Sequence, residues 1–393
     1  MEKMRTNETL SQNSTRRSIS FRALVTWWKR ATVWLGLLGL TLSVPVAFGA
    51  DSTTNHTKIS WSGLVDVYYS YNFNNPSNQM NRLRNFDIYE NQFGFSLAKL
   101  TVQEQARPVG FRVDFALGPT NDVVQGIPPY GVNAYSTLSN LEQAYLTGVV
   151  PVGNGLTVDV GKFVTMMGNE VIEPNANWNY SRSLLFAYSI PYFHTGIRLT
   201  YPFSSRFTGI LEVTNGWNNV VAINKSKTVG LSLSYSPTPS TSLTLNGMTG
   251  FEQPLGNEYG KRDVAEIIIT QQVNSSLSLA VDAVYGRDRV SGSLVSWKGV
   301  AIYGKYNFCS NSDLAIRGEV YYDPEGYTTG AAFPKATFKE ITLTYEYDPV
   351  SFLILRLEGR DDFANGPEFV GANSAAPTKT SQPTLLLGAI TTF

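Results

Sequence analysis

The stretch LAIRGEVYYD, residues 314–323, alternates strictly between two kinds of side chain. Its even-numbered positions are apolar, aromatic or glycine, whereas its odd-numbered positions include three full charges, Arg317, Glu319 and Asp323. Successive side chains of a β-strand point to opposite faces, so the segment predicts a strand with one apolar face and one charged face. GFRVDFALG (110–118) and LTVDVGKFV (156–164) alternate in the same way. Beyond residue 50 the sequence therefore predicts an all-β chain.

The connections between such strands distinguish a soluble β-sandwich from a membrane barrel, because alternation alone is compatible with both. Short clusters of turn-forming residues alternate with longer polar connections along the chain. The seven short turns are predicted at 105–109, 151–155, 202–206, 236–242, 273–276, 309–312 and 348–351. The eight long connections are predicted at 74–90, 118–140, 165–192, 215–227, 253–262, 288–296, 324–336 and 364–381.

This interleaving predicts 16 antiparallel strands with both chain ends on the side of the short turns. Short turns at one end, long loops at the other and an even strand number are typical of a closed antiparallel transmembrane β-barrel of the outer membrane. Closure is needed because hydrocarbon offers no hydrogen-bond partner to a sheet edge. The barrel is expected over residues 58–393, with short periplasmic turns and long extracellular loops. A misread strand, such as 91–104, would change the count to 14 or 18.

The N-terminal region has the order of a cleaved, Sec-type secretory signal peptide. Residues 31–44 form an uncharged apolar run that follows Lys29 and Arg30 and precedes small residues. About 14 residues are fewer than the roughly 20 that a spanning helix needs, which disfavours a retained anchor. We assign residues 1–49 to the signal peptide and 50–57 to a short polar tail, and expect the mature protein in the outer membrane of a Gram-negative cell.

The last strand, TLLLGAITTF (384–393), also alternates and ends on a free aromatic residue, Phe393. A terminal strand of this kind is similar to the sorting signal read by the outer-membrane assembly machinery. That machinery and the lipid of the outer membrane are therefore expected partners.

Charge and residue usage exclude several classes of function. Residues 1–49 hold seven basic and two acidic residues, which leaves 24 basic and 29 acidic residues in the rest of the chain. This part lacks the basic excess of a nucleic-acid-binding protein. One cysteine, Cys309, and two histidines, His56 and His194, offer little for a disulfide framework, a zinc site or a catalytic triad. No metal and no cofactor are expected.

The longest connection, 165–192, contains an apolar segment, SLLFAYSI (183–190), that needs burial. If the connection folds into the lumen, it narrows the pore and brings Glu170, Glu173 and Arg182 to the constriction. The alternatives are a lid across the mouth of the barrel and a loop that extends outward.

Residue parity assigns fifteen charged side chains to the lumen, nine acidic and six basic. They are Asp66, Arg112, Asp114, Asp159, Arg198, Glu212, Asp282, Lys305, Arg317, Glu319, Glu340, Glu346, Arg356, Glu358 and Arg360. An acidic excess in an aqueous lumen predicts a weak cation preference. The alternative is that opposite charges only pair between neighbouring strands and stiffen the wall.

The stretch GKFVTMMGNEVIEPNANWNYSRSLLFAYSIPYFHTGIRLTYP (161–202) is similar to the characteristic region of the OmpL-like β-barrel porins. The matching features are Gly-Lys-Phe, Gly-x-Glu, Asn-Tyr-Ser-x-Ser and Pro-x-x-His-Thr-Gly. The opening strand ISWSGLVDVYYSYNFN (59–74) and LEQAYLTG (141–148) fit the same pattern, so the resemblance extends from about residue 58 to the C-terminus. It implies an outer-membrane channel and leaves the solute open.

These features predict a porin, a water-filled channel in which small hydrophilic solutes or ions diffuse passively, with no enzymatic step. A homotrimer and a monomer are both open. One alternative is a plugged outer-membrane barrel that acts as a hydrolase, which would have to use His194 with Ser181, Ser189 or Asp159. Another is an adhesin or structural protein whose long loops bind a partner.

Overall fold

The computed structural model describes residues 59–126, 138–257 and 259–393. Sixteen antiparallel strands close into one barrel, as the alternation of short turns and long connections predicts. The expected signal peptide, the polar tail and His56 lie outside the described residues.

The strands follow one another around the barrel, each paired with its neighbours in the chain, and the last strand pairs with the first. The barrel strands are β1 Ser60–Asn72, β2 Gln92–Glu104, β3 Val109–Leu117, β4 Leu141–Val150, β5 Leu156–Val164, β6 Phe193–Ser204, β7 Phe207–Thr214, β8 Thr228–Thr238, β9 Thr241–Gly250, β10 Arg262–Gln272, β11 Leu277–Val290, β12 Ser293–Cys309, β13 Ser312–Asp323, β14 Ala336–Val350, β15 Leu353–Ala364 and β18 Ser381–Thr392. The last long connection contains a small hairpin, β16 Phe369–Val370 and β17 Pro377–Lys379.

Helical structure in the described residues occurs in two of the long connections. The α-helices are α1 Pro119–Val124 and α2 Leu184–Tyr188, and 3₁₀ turns occupy Leu138–Asn140 and Pro174–Ala176. None of the helices in these ranges is long and apolar enough to cross a membrane.

The seam of the barrel is closed at the C-terminal residue. Phe393 and Gly63 exchange two backbone hydrogen bonds of 3.0 and 3.1 Å. A Cβ on Gly63 would lie 2.1 Å from the Phe393 ring, so only glycine leaves room for that ring on the outer surface. The terminal aromatic residue thus packs against the first strand.

One predicted connection is wrong. Residues 288–296 were expected to form a long loop, but β11 extends to Val290 and β12 begins at Ser293. Only two residues therefore join the two strands. Ser291 and Gly292 both have positive φ, 51° and 85°, which is the geometry of a type I′ hairpin turn. The polar residues of 288–296 predicted a loop, whereas Asp288 and Arg289 belong to β11, which continues to Val290.

The two faces of the wall differ as the alternation requires. On β13, Ile316 is 48% exposed and Val320 47% exposed, whereas Arg317 and Glu319 are buried at 0% and 3%. The apolar face is thus outward, where lipid replaces a protein core, and the charged face is inward.

The interior is filled at the end that carries the long connections, here called the loop end. A cluster of buried apolar side chains, the loop-end cluster, joins four connections, the last of them through Phe369, to the inner wall. Its members include Leu83, Phe86, Val124, Ile172, Leu184, Phe186, Trp297, Tyr303, Tyr321 and Phe338. The other end, with the short turns, is the turn end.

Candidate functional site

The connection 165–192, called the inner loop, lies inside the barrel and is hydrogen-bonded to its wall. Glu358 on β15 accepts hydrogen bonds from the backbone N–H of Tyr180 at 2.6 Å and of Ser181 at 3.0 Å. Glu266 on β10 accepts one from Gly168 at 3.0 Å. Wall carboxylates thus satisfy backbone donors that an irregular segment leaves unpaired.

Helix α2 is positioned by a further wall carboxylate. Glu319 on β13 accepts hydrogen bonds of 2.6 Å from the backbone N–H of Leu184 and of Leu185, the first two residues of the helix. Ser183 caps the same turn by accepting a hydrogen bond from Phe186 N–H at 3.1 Å. Free N–H groups at a helix start favour a negative partner, so Glu319 fixes the apolar segment of the inner loop against β13.

Wall guanidinium groups bind the carbonyl groups of the inner loop. Arg356 donates to the backbone oxygens of Pro174 at 2.8 Å, Asn177 at 2.6 Å and Asn179 at 3.2 Å. Arg360 donates to Arg182 O at 2.6 Å. Donors and acceptors of the wall therefore match the backbone of the loop, which explains how a segment with little regular structure is buried.

Arg317 lies at the centre of these contacts and has no exposed surface. Its guanidinium is 2.6 Å from Glu340 on β14 and 2.7 Å from Glu170 of the inner loop. It also donates to Ser181 O at 2.6 Å. A buried charge of this kind is tolerated only with several partners, and Arg317 has them from both the wall and the loop.

The three residues expected at the constriction have different surroundings. Glu170 pairs with Arg317, and Arg182 donates to the backbone oxygens of Val171, Tyr180 and Ile172. Both residues are buried, with 5% of their surface exposed. Burial lowers the pKa of Arg182, an effect that Glu170 opposes. Glu173 keeps 24% of its side chain exposed. Of the three, Glu173 is the one that a solute would meet.

Glu173 is bound to the wall by Lys99 of β2. The Lys99 ammonium contacts Glu173, Glu142 and Asp114, the last at 3.0 Å. The three carboxylates have oxygens within 4.8 Å of one another, a spacing that fits a metal ion. The Lys99 ammonium supplies a positive charge between these carboxylates.

The predicted lumen charges fall into two groups. Those of the first group contact the inner loop or pair beneath it; they are Asp66, Asp282, Arg317, Glu319, Glu340, Arg356, Glu358 and Arg360. Those of the second group pair with each other along the wall; they are Arg112 with Asp114, Arg198 with Asp159, and Lys305 with Glu346. Lys305 also pairs with Asp313, a buried carboxylate that the parity count did not include. Glu212 lies opposite Arg198 in the register of β6 and β7.

Tyr180 connects the inner loop to the first strand. Its hydroxyl donates to the two carboxylate oxygens of Asp66, at 2.9 and 3.0 Å. Burial, followed by the negative charge of Asp66, raises the pKa of Tyr180 well above its ordinary value. The phenol therefore stays protonated and remains a donor.

Several charged residues of the interior were not found from the sequence. Lys99 and Glu142 lie on strands interrupted by bulges, at Asp66/Val67 and Asp114/Phe115, where parity counting fails. Arg84 is in the first long connection and pairs with Asp362 at 2.8 Å, which shows that this connection also enters the barrel. No periodicity exists in such a connection, so the sequence offers no signal for it.

The surroundings of His194 are unlike those of a catalytic base. Its ring nitrogens lie 3.2 Å from Gly216 O and 3.4 Å from Thr165 Oγ1, and the residue is fully buried. Ser189 donates to Leu185 O, Ser181 is held by Arg317 and Arg360, and Asp159 pairs with Arg198. Among the described residues, none of these three is a hydrogen-bond partner of His194.

Comparison with solved structures shows the same fold. DcaP, an outer-membrane channel of Acinetobacter baumannii, has a TM-score of 0.57 at 10% identity, over 86% of this chain and 97% of that one. An anion-selective porin of Comamonas acidovorans has a TM-score of 0.57 at 12% identity, over 86% and 99%. The trimer form of OmpT of Vibrio cholerae has a TM-score of 0.52 at 11% identity, over 86% and 99%. A search of curated protein sequences finds no match.

The family model described as "Putative beta-barrel porin-2, OmpL-like" matches residues 58–393, which is nearly the whole described chain. The match covers all sixteen barrel strands and the inner loop. The chain therefore belongs to the OmpL-like family of β-barrel porins, the channel proteins of the outer membrane.

Proposed function

We propose that this porin conducts small hydrophilic solutes by passive diffusion along the part of the lumen that the inner loop leaves open, without an enzymatic step. The observation that carries the proposal is the asymmetric position of that loop. Its contacts lie on one continuous arc of the wall, from β10 through β15 to β1 and β2, where inward side chains such as Glu266, Glu319 and Asp66 are buried. Inward side chains on the opposite wall, such as Thr200, Ser234 and Thr244, keep partial exposure toward the turn end.

The charges that a solute would meet are fewer than the sequence indicates. Most carboxylates of the predicted acidic excess lie beneath the inner loop. Among the charges predicted for the lumen and the constriction, the most exposed are Arg112, Lys305 and Arg198, with 32%, 21% and 16% of the side chain exposed, and Glu173, with 24%. We infer a channel of weak selectivity, in which the three basic side chains offset the expected cation preference.

Liposome swelling tests this function with the full chain purified from outer membranes. Vesicles that contain the protein should swell in isotonic sugar, faster for a monosaccharide than for a trisaccharide, because the inner loop limits the width of the path. Heat-treated protein in the same vesicles is the control. Equal, negligible swelling with folded and heat-treated protein would contradict a passive channel.

The loop-end cluster favours a second candidate, a barrel that is plugged until its loops move. Apolar side chains from four connections fill the interior at that end. A plugged barrel would not swell vesicles, yet it would do so after the wall contacts of the inner loop are weakened by Glu319→Gln and Glu358→Gln. The swelling of this double variant therefore separates the two candidates.

Assembly and targeting complete the proposal. Phe393, exposed on the outer surface beside Gly63, is proposed as the signal for the assembly machinery, and its replacement by Ala should lower the amount of protein in the outer membrane. The trimer form of the Vibrio cholerae protein supports a homotrimer. The detergent-corrected mass of the purified protein gives the number of chains in the assembly.

A further inference from the structure

A row of polar side chains crosses the outer wall near the extracellular loops. Tyr285 on β11, Lys298 on β12 and Tyr322 on β13 are register partners and all point outward. The Lys298 ammonium lies 5.5 Å from the centre of the Tyr322 ring. Among the described residues, Lys298 has no carboxylate within ion-pair distance. It is an exposed cation on the wall that faces lipid.

A groove begins at this row and continues toward the turn end. Its upper part has a volume of about 730 Å³ and is lined by Ala265, Ile267, Tyr285 and Lys298. Its lower part, of about 510 Å³, is lined by Leu279, Ile302, Gly304, Ile316 and Gly318. Val300 and Val320 line both parts, so the two form one groove. From Lys298 to Gly304 it follows the strand for about 20 Å.

The groove exists because small residues occupy outward positions in the apolar belt. Gly318 carries no side chain, and a Cβ there would meet nothing within 4 Å. On the strand before it, Ile302 is register partner of Gly318 and forms one side of the groove. The shape therefore suits a flexible hydrocarbon chain.

The charges around the upper end are mainly basic. Lys339 on β14 is exposed and is register partner of Val320, so it lies two strands from Lys298. Arg289 is exposed as well, while Arg287 is paired with Asp263 at 2.9 Å. The other acidic groups nearby are Glu325, which accepts a hydrogen bond from Ser296 N–H, and Asp361, which is half-buried on β15. Two lysines thus remain for an anionic ligand at the level of lipid headgroups.

We propose that the outer wall of β10–β14 binds a phosphate-bearing glycolipid of the outer leaflet, that is, lipopolysaccharide. Lys298 and Lys339 hold its phosphate groups, and an acyl chain lies in the groove over Val300, Val320 and Gly318. Tyr285 and Tyr322 flank the headgroup. The site faces away from the lumen and is independent of conduction.

The experiment is native mass spectrometry of the refolded full chain after addition of purified deep-rough lipopolysaccharide. The wild type is expected to retain one lipid per chain. The variant K298Q/K339Q should bind the lipopolysaccharide about fivefold more weakly for each lysine removed, because one basic side chain at a membrane surface contributes about fivefold to the affinity for an anionic lipid. K225Q, which removes an exposed lysine of the connection between β7 and β8, is the charge control and should bind as the wild type does.

The groove is tested separately by filling it. Gly318→Leu places a side chain in the open space, and Gly359→Leu, on β15, is the matched control because a Cβ there also meets nothing within 4 Å. G318L should lose the lipid while G359L retains it, and both should show the heat-modifiable gel mobility of a folded barrel.

Three results would overturn the proposal. One is equal retention of lipid by G318L and G359L. Another is equal binding of lipopolysaccharide that has been dephosphorylated, because the lysines would then have no role. The third is a wild-type protein that is an oligomer without bound lipid and that becomes a monomer in G318L. The groove would then be a contact between copies of the chain.

Discussion

Single charged residues decide how the interior of this barrel is organised. Parity in a strand such as 314–323 is enough to place Arg317 and Glu319 on the inner face, but not to find their partners. Those partners include backbone groups of the inner loop, which are 135 and 136 residues away in the chain. Residues at bulges, such as Lys99, could not be placed at all, because a bulge reverses the parity.

Replacing Arg317 by Met should strongly destabilise the barrel. The change leaves Glu170 and Glu340 buried without the cation they share, which costs about 3–5 kcal/mol. The measurement is the urea midpoint of unfolding of the reconstituted protein, followed by tryptophan fluorescence. Arg206→Met, in an exposed turn, is the control. Equal midpoints for the two variants would show that Arg317 is not needed for stability.

Replacing Lys99 by Met should convert its carboxylate cluster into a site for a divalent cation. Asp114, Glu142 and Glu173 would keep three oxygens within 4.8 Å but lose their positive partner, and hard cations prefer oxygen ligands. Calcium should then raise the thermal stability of K99M and leave that of the wild type unchanged. The double variant K99M/E173Q removes one ligand and should lose the calcium effect. A calcium response of the same size in both variants would contradict this.

Among the elements, the strands and the positions of most connections were predictable, whereas the paths of the long connections were not. Alternation and turn residues predict the number of strands, because an apolar outer face is required along every strand. The expected loop at 288–296 is instead a two-residue turn, since charges in 287–289 also suit a strand that extends beyond the lipid. The inner loop has no periodicity, so its path along β13–β15 is known only from the structure.

The turn at Ser291–Gly292 should tolerate no side chain at its second position. Gly292 has a φ of 85°, where an L-residue is strained, so Gly292→Ala should cost about 1 kcal/mol. Gly359→Ala, in the interior of a strand, is the matched change without positive φ. The urea midpoint of unfolding compares the stabilities of the two variants. A G292A barrel as stable as G359A would be inconsistent with a type I′ turn.

In the whole molecule, the structure places the seven predicted short turns at one end, and the other connections, including the two-residue turn at 291–292, at the opposite end. In an outer-membrane porin the short turns face the periplasm. Cys309 is exposed beside one of them and is the only cysteine of the chain. It therefore reports the orientation of the barrel in the membrane.

A membrane-impermeant maleimide should leave Cys309 unlabelled in intact cells and label it after the outer membrane is permeabilised. Ser291→Cys, introduced together with Cys309→Ser, moves the thiol to the opposite end and should be labelled in intact cells. Labelling of the wild type before permeabilisation, with none of the S291C variant, would mean that the barrel is inserted in the reverse orientation.

We propose that the closed barrel is an open, passive channel narrowed by the inner loop. Single-channel conductance of the full chain in a planar bilayer tests it most directly, with the reversal potential recorded in a salt gradient. We expect stable ohmic steps, a reversal potential close to zero, and larger steps when Glu319→Gln and Glu358→Gln weaken the contacts of the loop. Folded protein that gives no steps, in the wild type and in the double variant alike, would contradict the account.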